Sequence, residues 1–104
     1  MKKIKDTKLM SDGEEIILSC GVYSNGRLAI QSFTQFGEPY AILTINIPEQ
    51  ELQDGEIIVK TWSENENISR AVLETGLFID TGKRISAGFC EAEIWKLAPG
   101  VEIQ

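Results

Sequence analysis

The chain has 104 residues, 16 acidic against 10 basic side chains, and a formal charge of −6. That length argues for one domain, residues 1–104, whose single core needs neither disulfide nor metal to hold it. Histidine is absent, which excludes Ser-His and Cys-His catalysis, imidazole acid–base chemistry and most zinc sites.

Lys2, Lys3, Lys5 and Lys8 open the sequence with only Asp6 against them. They do not read as the start of a secretory signal, because Asp6, Thr7, Lys8, Ser11, Asp12 and Glu14 interrupt the apolar run that would have to follow. No stretch approaches the ~20 apolar residues of a membrane helix. The first strand is expected over Glu15–Tyr23, after the Asp12-Gly13 turn. Asn25-Gly26 between apolar runs is a strong hairpin signal. Arg27–Phe33 then alternates, with Leu28 and Ile30 on one face and Ala29, Gln31 and Phe33 on the other. A turn at Phe36–Pro39 leads to a third strand, Tyr40–Ile47, which Pro48 ends because proline cannot donate to a continuing ladder. Glu49–Glu56 is acidic and turn-like, and Ile57–Trp62 is a short strand.

The period then changes. Ser63-Glu64-Asn65-Glu66 fits a capping box, and Ile68, Ala71, Val72 and Thr75 form one apolar stripe. A helix over about residues 64–75 follows, with Gly76 as its left-handed terminator. Beyond it, Leu77–Asp80 reads as a strand, Thr81-Gly82-Lys83 as a turn, Ile85–Cys90 as the return strand and Glu91–Leu97 as a further strand. The sum is an α+β domain: an antiparallel sheet of five to seven strands with one helix packed on one face. Its ordered core is expected over about residues 14–98, between short N- and C-terminal tails. One helix covers only part of such a sheet, so curvature, the termini or a partner must close the rest.

Few residues suggest chemistry. Cys20 and Cys90 lie far apart without a CxxC pair, each in an apolar stretch, and read as reduced, packed thiols of a cytoplasmic protein. Neither GxGxxG nor GxxxxGK[ST] occurs. Glu49, Glu51, Asp54 and Glu56 lack the spacing of a calcium loop, and read as a solvated acidic loop or as groups that occupy a partner's phosphate-binding arginines. Glu64 and Glu66 point apart on a helix and suit capping better than acid–base work. Arg27 and the Lys83-Arg84 pair flank turns, where an anion site and simple solvation are both open readings. Most aromatic residues belong to apolar runs and to the core; Trp62 and Trp95 stand out as exposed contact candidates. Without the Lys2–Lys8 segment, positions 9–104 hold 6 basic and 15 acidic residues, a net −9. Such a body disfavours direct nucleic-acid binding and favours a basic partner. No enzyme, cofactor or metal is expected. The residues expected to contact a partner are Glu49, Glu51, Asp54, Glu56, Trp62 and Glu64.

Several strings occur together in order: Tyr23–Gln31 (YSNGRLAIQ), Gly37–Ile47 (GEPYAILTINI), Ser63–Glu66 (SENE), Asp80–Gly82 (DTG) and Gly88-Phe89. The set resembles an uncharacterised family of short acidic proteins encoded by phages and mobile elements of gut-type bacteria, over roughly residues 20–97. It is similar in size and type to anti-CRISPR proteins that act on type II effectors. The resemblance implies an α+β domain of mobile-element origin and carries no catalytic residues. It implies an inhibitor that binds a host defence protein with a basic surface, a type II CRISPR effector nuclease, and hinders guide-RNA or DNA engagement. The alternatives are a non-enzymatic protein-binding module of phage or plasmid biology and a small nucleic-acid-binding protein using Lys2–Lys8.

Overall fold

The computed structural model describes residues 2–4 and 7–103, so Lys5 of the lysine-rich start lies outside the described residues. The chain runs β1 (Lys2–Lys3), β2 (Lys8–Ser11), β3 (Glu14–Val22), β4 (Leu28–Thr34), β5 (Pro39–Ile42), β6 (Glu56–Val59), α1 (Glu66–Glu74), β7 (Phe78–Ala87), β8 (Cys90–Leu97) and β9 (Val101–Glu102). Among the described residues the architecture is α+β, with one α-helix and antiparallel sheets as the alternating pattern requires. The seven antiparallel strands divide between two sheets, ordered β2-β3-β4-β5 and β6-β8-β7.

The larger sheet grows from the Asn25-Gly26 hairpin, where Tyr23 N donates to Arg27 O at 2.8 Å. Its period-2 pattern puts Ile16, Leu18 and Ile30 on the buried face. The sheet is strongly curled: the Tyr40 hydroxyl, on β5, reaches Asp12 Oδ2 at the β2–β3 turn (3.2 Å). The helix packs against β2 and β7, the outer edge strands of the two sheets. Its Ile68 and Val72 enter one core with Leu9, Ile57, Phe78 and Trp95. Curvature and the helix thus close most of the surface that a flat sheet would leave open.

On the other side the two sheets are spliced by the residues after β5. Leu43 N donates back to Ile30 O on β4 (2.9 Å), while Lys60 N donates to Leu43 O (2.9 Å) and Ile45 N to Ile58 O (3.0 Å). Thr44 bridges Val59. One segment therefore leaves one sheet and enters the next. The backbone groups freed at that switch are met by side chains: Thr44 Oγ1 accepts from Ile30 N at 3.1 Å, the Tyr23 hydroxyl donates to Thr44 O at 3.2 Å, and Asn65 Nδ2 donates to Ile42 O at 2.8 Å and Lys60 O at 3.0 Å.

Three expectations need correction. The capping box does not form: Ser63 has φ +57° and opens a 3₁₀ turn, Ser63–Asn65, that leads into α1 without a side-chain cap. Asn65, at the cap position, turns inward to the sheet junction instead. Second, Thr81-Gly82-Lys83 is not a hairpin turn but a bulge within one long strand, since Asp80 pairs with Trp95 and Arg84 with Glu93. Gly82 takes φ +84°, which suits glycine. The Thr81 hydroxyl donates to Ile94 O (2.6 Å), satisfying the carbonyl opposite the bulge. The reversal comes later, at Gly88-Phe89, between Ala87 and its partner Cys90.

The third correction concerns the tails. Ile4 is fully buried, β2 alternates exposed and buried residues, and β1 pairs parallel with β9 through Lys2↔Val101 and Lys3↔Glu102. Ile4 and Leu9 are apolar residues that the core takes in despite their lysine-rich setting. Ordered structure therefore extends on both sides of residues 14–98.

If Asn65 holds the junction, Asn65→Ala orphans two carbonyls and lowers unfolding free energy by about 2–4 kcal/mol. Asn65→Asp, which also removes the donor, is expected to cost at least as much. Urea denaturation measures both; a fall in midpoint with unchanged slope is the expected form, and a loss below about 1 kcal/mol contradicts the assignment.

Candidate functional site

The acidic segment before β6 is held in place from both ends. Arg27, just past the hairpin, donates from Nη1 to Ile47 O at 2.7 Å and from Nη2 to Gln50 O. Gln50 N closes a turn on Ile47 O at 3.0 Å. At the far end, Glu56 Oε1 accepts from Gln53 N at 2.8 Å, and Glu56 Oε2 pairs with Lys83 Nζ at 2.6 Å. Between these clamps Glu49, Glu51 and Asp54 are exposed, and none of the three makes an ion pair among the described residues. Four carboxylates face two cations here, a net −2, with Glu56 buried beneath Lys83 and the other three carboxylates exposed.

Glu56 does not belong with the outward groups. It is only 8% exposed, and the Lys83 ammonium holds its carboxyl below the usual glutamate range. Trp62 and Glu64 do not join the acidic loop either. They follow the other end of β6, so the six residues proposed as one contact surface lie in two places. Glu64 is paired with Lys60 (2.7 Å), whose ammonium sits 5.9 Å from the Trp62 ring centroid, a cation–π arrangement on a half-buried indole.

Trp62 stands at the rim of a cleft of about 480 Å³ between α1 and the β7–β8 pair, lined also by Glu66, Arg70, Asp80 and Glu93. Two of its carboxylates, Asp80 and Glu93, are met by Arg84. Arg84 forms a two-pronged pair with Asp80, 2.9 Å on each prong, and lies 3.6 Å from Glu93. Asp80 also accepts from Gly82 N (2.9 Å), and Arg84 keeps its carboxyl below the usual aspartate range. Glu93 Oε1 accepts from Trp95 Nε1 at 2.9 Å. The DTG string thus builds a strand bulge: Asp80 accepts from Gly82 N, the Thr81 hydroxyl meets the ladder carbonyl opposite, and Lys83 next to it reaches Glu56. Trp95 is fully buried against Phe78 and is no contact residue.

Sequence reasoning missed Arg27 and Lys83 as clamps, because a basic residue beside a turn is more often solvated. The one available signal was the acidic segment itself, long enough to need anchoring. Both thiols are free, and burial pushes Cys20 upward. Among the described residues no three His, Cys, Asp or Glu side chains gather as a metal site, and no helix is long and apolar enough to cross a membrane. Comparison with protein-family models, curated proteins and solved structures finds no match to this chain.

The lowered Glu56 carboxyl gives a signed pH dependence. Its pairing stabilises the fold above the carboxyl's unfolded-state pKa and is lost as pH falls through the folded-state value. Glu56→Gln is therefore less stable than wild type at neutral pH, and the gap closes as pH drops below the ordinary carboxylate range. Thermal melts of both proteins across pH measure it, with Asp80–Arg84 common to the two. A gap that stays constant with pH contradicts the role given to this pair.

Proposed function

We propose that this chain is a non-enzymatic inhibitor that binds a basic surface of a bacterial host defence protein through the loop carrying Glu49, Glu51 and Asp54. The observation that carries the reading is the double clamp: Arg27 at one end and the Glu56–Lys83 pair at the other fix a loop whose remaining carboxylates all point outward. A pre-ordered charged loop loses little conformational freedom on docking, and an acidic patch speeds encounter with a basic one. The net −9 over positions 9–104 adds to that field.

The partner, following the resemblance, is a type II CRISPR effector nuclease. Such effectors hold the guide–target duplex in a positively charged channel, which acidic side chains are suited to occupy. The mode is local competition, not duplex mimicry, because three outward carboxylates do not reproduce a charge every ~1.7 Å of helix axis. The protein acts, on this reading, in the bacterial cytoplasm and was acquired on a phage or mobile element.

The test is capture of the tagged protein's partner from a host with an active type II system, with and without guide RNA. The effector nuclease is expected in the eluate, and guide RNA is expected to weaken its recovery. The triple variant Glu49→Lys, Glu51→Lys, Asp54→Lys should fold normally and lose at least about tenfold in affinity, as three lost or reversed charge contacts imply. Glu56 is left intact because it belongs to the fold. Recovery of a different host protein overturns the CRISPR assignment, and undiminished binding by the triple variant overturns the loop as the contact. Salt-sensitive binding to bare labelled DNA or RNA would favour the nucleic-acid alternative.

A further inference from the structure

Beside the acidic loop, the β3–β4 hairpin and the end of the chain's described part enclose an open depression of about 370 Å³. Its walls carry Val22, Leu28, Leu52 and Ile103, with Asp54 at the edge. Val22 is 70% exposed and Ile103 45% exposed, although each is a large apolar side chain. Leu28 and Leu52 are half-buried. Apolar surface gathered in a concavity and rimmed by charge is the pattern of a binding hot spot, where one anchor side chain is desolvated inside a polar ring.

We infer that this depression receives one apolar side chain, aliphatic or aromatic, from a segment of the partner protein that is basic on either side of it. The inference rests on the reading of the acidic loop as the docking surface and adds what the loop alone does not supply. Asp54 stands in the lining, Glu49 and Glu51 on the same loop outside it, and these exposed carboxylates set the charge of the segment. The cleft sets the residue between those charges. Arg27 lines the same depression, but its guanidinium is turned onto the carbonyls of Ile47 and Gln50 and does not oppose an incoming cation directly. The volume stands near the lower end of ligand pockets, which matches one or two side chains better than a drug-sized molecule.

Fluorescence anisotropy with two labelled peptides tests this on the full chain. The first probe is Lys-Arg-Lys-Leu-Phe-Lys-Arg-Lys, and the second replaces Leu-Phe by Ser-Ser. Burying a large apolar side chain favours binding, so the first peptide is expected to bind at least about tenfold more tightly. Val22→Ser with Ile103→Ser, both on exposed side chains, should erase that advantage while leaving the second peptide's affinity unchanged. The Glu49→Lys, Glu51→Lys, Asp54→Lys variant should weaken both peptides alike. Equal affinity for the two peptides, absence of binding by both, or an advantage that survives the Val22/Ile103 substitutions overturns the cleft. Undiminished binding of both peptides by the charge-reversed variant overturns the loop reading instead.

Discussion

The structure depends on one backbone problem: a single segment, residues 42–45, has to leave the four-stranded sheet and enter the three-stranded one. At such a switch the regular ladder fails on both sides, and buried carbonyl and amide groups are costly when left unmade. The chain meets this with three side chains from three places in the sequence. Thr44 supplies a hydroxyl within the switching segment, Tyr23 reaches it from the hairpin, and Asn65 reaches two carbonyls from the helix entrance. The helix start is therefore fixed by the sheets, not by a local cap.

From that splice the rest follows. The two sheets curl, α1 seats against their outer edges, and Ile4 fills the core from the N-terminal side. The segment between splice and β6 becomes a surface excursion that must return at Glu56. Its two anchors come from elements the splice has brought near: Arg27 from the first hairpin and Lys83 from the β7 bulge. A loop tied to both sheets in this way is expected to be stiff, with its charges displayed with little freedom.

Much of this was legible in the sequence where the pattern is local. Asn25-Gly26, the alternation through Leu28 and Ile30, the helical stripe of Ile68 and Val72, and the Gly76 terminator all act over a few residues. What was not legible is non-local. Nothing in Tyr40–Ile47 marks where one sheet ends, because its alternation serves both sheets equally well. Ser63 and Glu66 satisfy the capping pattern, yet Asn65 has partners 23 and 5 residues away that outweigh a cap. Thr81-Gly82-Lys83 has turn chemistry in either role, and only the register of β8 makes it a bulge. Of the proposed contact residues, Glu49, Glu51 and Asp54 stand together at the surface. Glu56 was drawn inward by a lysine 27 positions later, and Trp62 and Glu64 were separated from the loop by the length of β6.

The central claim is that the acidic loop is pre-ordered by its clamps. Backbone order parameters of residues 47–55 from ¹⁵N relaxation test it most directly. Pinned at both ends, the loop is expected near the ~0.85 typical of rigid backbone, level with β3 and β8, whereas values below ~0.6 across Glu49–Asp54 would contradict the account.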